Sequence, residues 1–395
     1  AGEGIPKVCE FDGSFTTYPS ECTNECPVAD KSNCNYREEC TINGKNVFLF
    51  CWNGNVYEYD RDISTTSVLV SDLITEGVVT VLGTITDVKT SIFWFNDIVY
   101  FLNGVDYKQY DGITFQDVIP YIPTVALNSP PLGGGTLFEE VNLLTGAKTQ
   151  TFIGDGSSTL YQLAESSIDV DTLTVTVDGV ALTEGAGFTV NRTTGQVTFM
   201  VAPVNESLVS ITWVKVVAGN SDLVKNNRYA TSFGVNNDTN LFLFGNENEK
   251  HVFRFSGINK ANYFPANSFV GVGSTEFAIT ALQEQYQSLL VFKEKATFIV
   301  NPTENTNFTD NTGLNPYNFG YRGLNDRIGN LANNMVQLIN DTPISLYGNS
   351  MRLYVSNRSV RNEVEPKVIS DRLQRSLETL DLTKAVTFDY EQKKE

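Results

Sequence analysis

Apolar and aromatic residues come in short runs along this chain, and the runs alternate with polar, Gly- and Asn-rich turns. Such runs predict β-strands, and two of them separated by a few turn residues predict a hairpin. The central stretch Thr239–Val300 holds two hairpins, Thr239–Gly257 and Ser288–Val300, joined by an irregular segment around Asn262–Pro265. Hairpin, crossing segment and hairpin is the order in which a β-propeller is built.

The same hairpin pattern recurs elsewhere in the chain. Lys45–Asp60 turns at Asn53-Gly54, and Asp97–Gly112 turns at Asn103-Gly104, a dipeptide that tolerates the positive φ of a tight turn. Pro343–Val355 repeats the pattern more loosely. Internal repetition of this kind is typical of propellers, so we predict an all-β protein based on a β-propeller. A set of unrelated hairpins in an all-β protein is the alternative.

A Pro- and Gly-rich segment, Asn128–Gly135, separates this pattern from a different one. Beyond it, short Thr- and Val-rich strands follow one another closely and predict a small β-sandwich inserted into the propeller. The predicted sandwich strands are Gln150–Ile153, Thr159–Gln162, Leu173–Val177, Phe188–Asn191, Gln196–Phe199 and Val209–Trp213. The hairpin pattern returns at Asn226–Gly234, and only Asp371–Leu382 has helix-like spacing. We therefore predict a Cys-rich N-terminal arm (1–44), a first propeller part (45–128), the sandwich (129–217) and a second propeller part (218–395).

All six cysteines lie at the start of the chain, in a polar region that cannot build a core alone. They are Cys9, Cys22, Cys26, Cys34, Cys40 and Cys51. An even number favours disulfides, although the pairing stays open. A zinc site is the alternative, but the spacing lacks a C-x2-C pair and the single histidine, His251, is far away in sequence. A free thiol stays open for Cys51, which lies in a predicted strand and could belong to the core.

The chain is acidic, with a net charge of -18 and a pI near 4.5. Wrapping of nucleic acid requires Lys and Arg, so this charge disfavours it and suits a channel wall to which passing DNA does not adhere. No apolar run is long enough for a membrane-spanning helix, and the first residues lack a signal-peptide pattern, so we expect no membrane anchor.

Candidate catalytic residues are few. A Ser-His-Asp site would need His251, and a lone histidine in a hairpin is more often a surface or packing residue. Paired carboxylates of a glycosidase are the better enzyme hypothesis. The candidates are Asp60, Asp62, Asp111 and Asp389. Each borders a predicted strand, where aspartate more often caps a turn, so we predict no enzyme activity.

Ligand sites are equally weak. Exposed aromatic residues could stack on sugars, but we expect most of them in the core. The tyrosines in question are Tyr57, Tyr59, Tyr107, Tyr110 and Tyr263. The acidic clusters at Asp169/Asp171 and Asn236–Asp238 lack the loop that calcium requires. We predict no cofactor and no metal.

Several segments resemble known families. Ser256–Val300, with NYFPANSFVGVG and LLVFKEKATFIV, is similar to the β-propeller virion proteins of tailed bacteriophages, of the packaged-DNA stabilisation or head–tail joining type. Tyr317–Asn325 and Asn357–Leu373 resemble the same family. Pro130–Trp213, with FIGDG, VDGV and TGQVTF, resembles a sandwich module of phage structural proteins. The likeness covers residues 45–395 and leaves out the Cys-rich arm.

The resemblance implies a structural virion protein that forms a homo-oligomeric ring in the tail or head–tail connector, as a nozzle or adaptor. Such a ring closes the genome channel and allows ejection, beside portal, adaptor or tail proteins, with DNA passing without specific binding. It is assembled in the host cytoplasm. The expected contact residues are Asn262, Tyr263, Phe264, Arg358 and Arg361. The alternative is a receptor- or glycan-binding tail protein in which the sandwich is the adhesive module.

Overall fold

The computed structural model is almost entirely β in the part of the chain that it describes. Helix is confined to Asp222–Lys225 and Gln374–Leu377, with a 3₁₀ turn at Leu382–Lys384. The described residues are 35–42, 45–60, 78–170, 173–235, 238–305, 316–339, 342–357 and 363–385. The predicted all-β class is confirmed.

The helix expected at Asp371–Leu382 is reduced to the single turn Gln374–Leu377. None of its four residues is buried, and the neighbouring Leu373 and Leu380 are exposed. A short helix without a packed apolar face is marginal in water, which explains why the leucine spacing did not give a longer one.

Strands in chain order make five four-stranded sheets among the described residues. The first sheet contains β1 (Asn35–Ile42), β2 (Lys45–Trp52), β3 (Asn55–Asp60) and β4 (Val78–Thr84). The second contains β5 (Ser91–Phe95), β6 (Ile98–Leu102), β7 (Tyr107–Tyr110) and β8 (Phe115–Asp117). The third contains β18 (Tyr229–Val235), β19 (Asp238–Phe244), β20 (Val252–Phe255) and β21 (Phe269–Gly271). The fourth contains β22 (Ile279–Gln285), β23 (Ser288–Lys293), β24 (Thr297–Glu304) and β25 (Tyr317–Asn325). The fifth contains β26 (Gln337–Ile339), β27 (Thr342–Tyr347), β28 (Ser350–Asn357) and β29 (Glu363–Val368).

The predicted hairpins are present in these sheets. β2 and β3 pair antiparallel, and Asn53 and Gly54 at their turn have φ of 47° and 73°. β27 and β28 are joined the same way around Gly348, with φ of 63°. Asn and Gly occupy these positions because they adopt a positive φ at low cost.

The sheets are buried most deeply at their second strand. Along β6, β19 and β23, consecutive residues are buried instead of alternating between the two faces. The fourth strands β8, β21 and β25 are largely exposed. An antiparallel strand that is buried on both faces indicates a sheet covered on both sides, with its fourth strand at the free edge.

Aromatic contacts show what covers the fourth sheet. On one face, the ring of Phe319 lies 5.0 Å from Phe242 and 4.8 Å from Phe255, both in the third sheet. On the other face, Phe292 makes an edge contact at 5.0 Å with Tyr354 of the fifth sheet. Three successive sheets therefore pack face to face.

The inserted module is a two-sheet sandwich. Its larger sheet has the order β10-β9-β11-β17-β13-β14, and its smaller sheet has the order β12-β16-β15. Its strands are β9 (Thr124–Ser129), β10 (Thr136–Leu137), β11 (Ala147–Ile153), β12 (Leu160–Gln162), β13 (Thr174–Val177), β14 (Val180–Leu182), β15 (Phe188–Asn191), β16 (Gln196–Phe199) and β17 (Leu208–Val214). Phe152, Phe188 and Trp213 are fully buried between the sheets. Each strand predicted for the sandwich is present.

The sandwich begins earlier than predicted. β9 ends at residue 129, where the sandwich was expected to start, and it pairs in parallel with β11. Parallel partners are not joined by a hairpin turn, so the sequence carries no local signal for this pairing.

The chain divides into two compact units. One contains residues up to Val118 together with Lys225–Ala230, and the first two sheets share its core around Leu49, Val56 and Phe101. The other contains Ile119–Val224 and Thr231–Glu395, with the sandwich and the remaining three sheets.

Candidate functional site

A hydrogen-bonded seam joins the base of the sandwich to the loop between β20 and β21. We call it the joint, and its side chains are those of Tyr121, Glu139, Asn142, Lys260, Asn262 and Tyr263. All of them belong to the second unit. The joint is the most densely bonded polar cluster around the residues that carry the phage resemblance.

Asn142 lies at the centre of the joint and is only 1% exposed. Its Nδ2 donates to the carbonyl oxygens of Tyr121 at 2.8 Å and Asn262 at 2.9 Å. Its Oδ1 accepts from the backbone N–H groups of Phe264 at 3.0 Å and Leu144 at 3.2 Å. All four hydrogen bonds of the amide are therefore made to main chain, which satisfies a polar group that would be costly to bury unpaired.

Main-chain bonds extend the seam on both sides of Asn142. Tyr121 N donates to Asn262 O at 3.0 Å, and Leu143 N donates to Phe264 O at 2.9 Å. Ala266 N donates to the carbonyl of Val141 at 3.1 Å. Two chain segments that are more than a hundred residues apart in sequence are thus paired almost like strands.

A cation and two tyrosines cover one side of the joint. Lys260 Nζ lies 3.7 Å from the ring centroid of Tyr121 and 5.6 Å from that of Tyr263. The same Nζ is 3.6 Å from Glu139 Oε1, whose carboxylate is nearly buried. Cation–π contacts of this kind contribute about 0.5–2 kcal/mol, more as they are shielded from water.

The tyrosine hydroxyls are also engaged. Tyr121 Oη donates to Glu139 at 2.8 Å, and Glu139 additionally accepts from Thr124 N at 2.7 Å. Burial, together with Glu139, raises the pKa of Tyr121 to about 12. Tyr263 Oη donates to the carbonyl of Glu140 at 2.9 Å, and burial raises its pKa well above the ordinary value. Both phenols are therefore fixed, protonated donors and unsuited to acid–base catalysis near neutrality.

The predicted contact residues have an internal role here. Tyr263 and Phe264 are 4% and 0% exposed, and Asn262 donates to the carbonyl of Ile119 at 2.9 Å. Their expected role as contacts to another molecule is corrected, because these side chains are packed and bonded inside the chain. Arg358 and Arg361 lie outside the described residues.

Asn142, Glu139 and Lys260 were not predicted. A buried asparagine has no sequence pattern of its own, and the Glu139–Glu140 pair reads as solvated surface. The aromatic motif around Tyr263 was the available signal, and it identified the right segment but the wrong role. Of the tyrosines expected in the core, Tyr57, Tyr107, Tyr110 and Tyr263 are confirmed there. Tyr59 is only partly buried.

Cys51 is the cysteine whose side chain the structure describes, and it is a free thiol. It packs with Val47, Leu49 and Val56 in the first unit, and burial raises its pKa to about 12. The core alternative therefore applies to it, and its proposed pairing in a disulfide is corrected. The other cysteines, Cys9, Cys22, Cys26, Cys34 and Cys40, lie outside the residues whose side chains are described, and their pairing stays a prediction.

The carboxylates weighed as catalytic groups fall into two sets. Asp111 Oδ1 accepts from Thr114 N at 2.7 Å and Ile113 N at 2.9 Å, and these bonds lower its pKa. It is a turn cap, as the sequence favoured. The side chains of Asp60, Asp62 and Asp389 lie outside the described residues.

The ion sites considered are equally local. Asp169 Oδ2 accepts from Val216 N at 2.8 Å, which ties down a loop of the sandwich. Within the described ranges, no group of three or more His, Cys, Asp or Glu side chains is arranged to hold a metal ion. No described helix is long and apolar enough to cross a membrane.

Comparison with known proteins adds little. No family model matches the chain, and no curated protein matches it. One similar solved structure is the extracellular domain of BT4673 from B. thetaiotaomicron, at 8% identity and a TM-score of 0.30. The alignment covers 87% of this chain and 34% of that one, so the chain spans about a third of the structure it matches. A similarity this low carries no argument about fold or function.

Proposed function

We propose that the four-stranded sheets are blades of a β-propeller into which the sandwich is inserted. The supporting observation is the sheet β22–β25, which is packed between the third and fifth sheets and has a second strand buried on both faces. Propeller blades are four-stranded meanders stacked in this way around an axis. The first two sheets share a core of the same kind within their own unit.

We propose further that the protein is structural, a component of an oligomeric ring in a tailed-phage tail or head–tail connector. The proposal rests on the sequence resemblance, and one structural observation favours it. The NYFPAN segment, which carries much of the resemblance, forms the joint that holds the sandwich on the sheets through Asn142. A fixed inserted module is what a load-bearing ring component requires.

In this proposal the partners are further copies of the chain and the neighbouring portal, adaptor or tail proteins. The net charge of -18 keeps DNA from adhering to the channel that the ring closes. The protein resides in the virion after assembly in the host cytoplasm. A receptor- or glycan-binding tail protein is the competing function.

The test combines light scattering during size-exclusion chromatography with electron microscopy of the purified protein and of particles decorated with an antibody against it. A ring of several copies, found on the axis of the particle, is the expected result. A monomer, or antibody bound only at fibre tips, would overturn the ring and favour the receptor-binding function. The same measurements on Asn142→Ala show whether assembly requires the fixed sandwich.

A further inference from the structure

The end of the sandwich that lies opposite the joint presents an unusual surface. β11 and β17 run between the two ends, with Ala147 paired to Val214 near the joint and Ile153 paired to Leu208 at the far end. Three loops meet at this far end, residues 154–159, 178–180 and 200–208, and we call them the distal tip.

Five large aliphatic side chains of the distal tip are exposed to solvent. They are Val180 (66% exposed), Met200 (52%), Val201 (80%), Val204 (73%) and Leu208 (46%). Single exposed aliphatic residues are normal on a protein surface, but five of them at one end of a module of this size are a feature of interaction sites.

The loops that carry these side chains are held in place by their backbones. Gly154 N donates to Ser207 O at 2.9 Å, and Glu206 N donates to Gly154 O at 2.8 Å. Asp178 N donates to Leu208 O at 2.8 Å, while Leu208 N donates to Asp178 Oδ1 at 2.8 Å. The aliphatic side chains are therefore presented by a fixed frame, which lowers the entropy that binding would cost.

The charge around the aliphatic residues has one sign. The tip loops contain Asp155, Asp178 and Glu206, all exposed, and their sequences contain no Lys or Arg. Asp155 accepts from Ser157 N and Ser158 N, which keeps its pKa low and its carboxylate ionised. An aliphatic surface with an acidic rim is complementary to an aliphatic surface with a basic rim.

We propose that the distal tip is a docking surface for another protein, at a site where aliphatic residues are flanked by Lys or Arg. A second copy of this chain fits poorly, because tip-to-tip contact would bring six carboxylates together in a molecule of net charge -18. A glycan would need aromatic stacking, and the tip loops contain no aromatic residue. An anionic membrane would repel the rim.

The inference goes beyond the proposed ring function and does not depend on it. The tip belongs to the inserted module and makes no use of the propeller or of oligomer symmetry. It states the chemistry of one partner, and a protein that is monomeric in solution could use the same surface.

The first test uses two synthetic amphipathic helices with the same leucine face and either Lys or Glu on the flanks, each of about 18 residues to favour helix formation. Binding to the full chain is measured by fluorescence anisotropy. We expect the Lys-flanked peptide to bind at least about tenfold more tightly than the Glu-flanked one, and more weakly as salt is raised. Equal binding of the two peptides, or binding of neither, overturns the proposal.

Variants locate the binding on the protein. The double substitution Val201→Asn/Val204→Asn should weaken binding of the Lys-flanked peptide at least about tenfold, and Asp178→Asn/Glu206→Gln should weaken it and flatten its salt dependence. Val170→Asn is the matched control, because Val170 is an equally exposed valine of the sandwich outside the tip. An effect of the control as large as that of the tip variants overturns the site.

Two further measurements separate other occupants. Vesicles of phosphatidylcholine, with or without phosphatidylserine, should not retain the protein, and retention that is lost in Val201→Asn/Val204→Asn would identify a lipid surface instead. Light scattering of the same variant should give the wild-type mass. A lower mass would show that the tip contacts a second copy and would overturn the assignment to another protein.

Discussion

Removal of the Asn142 side chain tests whether the joint fixes the sandwich. Asn142→Ala deletes four hydrogen bonds at a site that is 1% exposed. Each bond contributes about 1 kcal/mol net, and buried groups left unpaired cost more, so the free energy of unfolding should fall by about 3–5 kcal/mol. For a slope of about 3 kcal/mol per molar urea, the midpoint should fall by about 1 M or more.

The assay can report on the second unit alone. The chain has three tryptophans, and with Trp52 and Trp94 replaced by Phe only Trp213, buried in the sandwich core, remains. Urea unfolding is then followed by its fluorescence, and hydrogen exchange reports on the amides of Leu144 and Phe264, which should lose protection.

The matched control is Asn267→Ala, since Asn267 is an exposed asparagine of the same β20–β21 loop. Its effect should stay within about 0.5 kcal/mol. A midpoint shift of Asn142→Ala no larger than that of the control would refute the reasoning that the amide holds the joint together.

Three further predictions follow from single residues. Gly195→Ala should lower the melting temperature of the sandwich far more than Gly179→Ala, because both glycines have positive φ but a Cβ at Gly195 would collide with the carbonyl of Glu165, whereas one at Gly179 meets nothing; calorimetry on both variants checks this, and equal shifts would contradict it. Cys51 should resist alkylation at pH 8 in the folded protein and react on unfolding, because burial raises its pKa to about 12; peptide mapping after iodoacetamide treatment decides, and native labelling would contradict it. Burial lowers the pKa of Lys293 to about 8, so the unfolded chain holds the proton more tightly and stability from this group should rise between pH 8 and about 10.5; urea midpoints across that range, compared with Lys293→Met, should show a slope that the variant lacks.

Local patterns were sufficient to predict the strands and hairpins of this chain. Asn53-Gly54 identified its turn because a positive φ is a property of the dipeptide itself. The alternation in β11, β16 and β17 identified sandwich strands because each has one face on the core. The all-β class follows from such short-range signals, which do not depend on what packs against them.

What the sequence could not give is long-range. The parallel pairing of β9 with β11 has no turn to announce it, and Asn142 looks like any other polar loop residue until Tyr121, Asn262 and Phe264 are brought around it. For the same reason Tyr263 and Phe264 looked like contact residues for a partner: an aromatic pair in a polar loop carries no sign of whether its cover comes from the same chain or from another.

The joint also has a consequence for how the module can be exchanged. The side chain of Asn142 bonds only to main-chain atoms, and the flanking bonds from Tyr121, Leu143 and Ala266 also run from main chain to main chain. Carbonyl groups are the same in every residue, and amide N–H groups are the same in all except proline. A seam of this kind recognises the path of the backbone and hardly its sequence. The sandwich is therefore built like a cassette, which recombination could move into another loop of similar shape if the one asparagine travels with it.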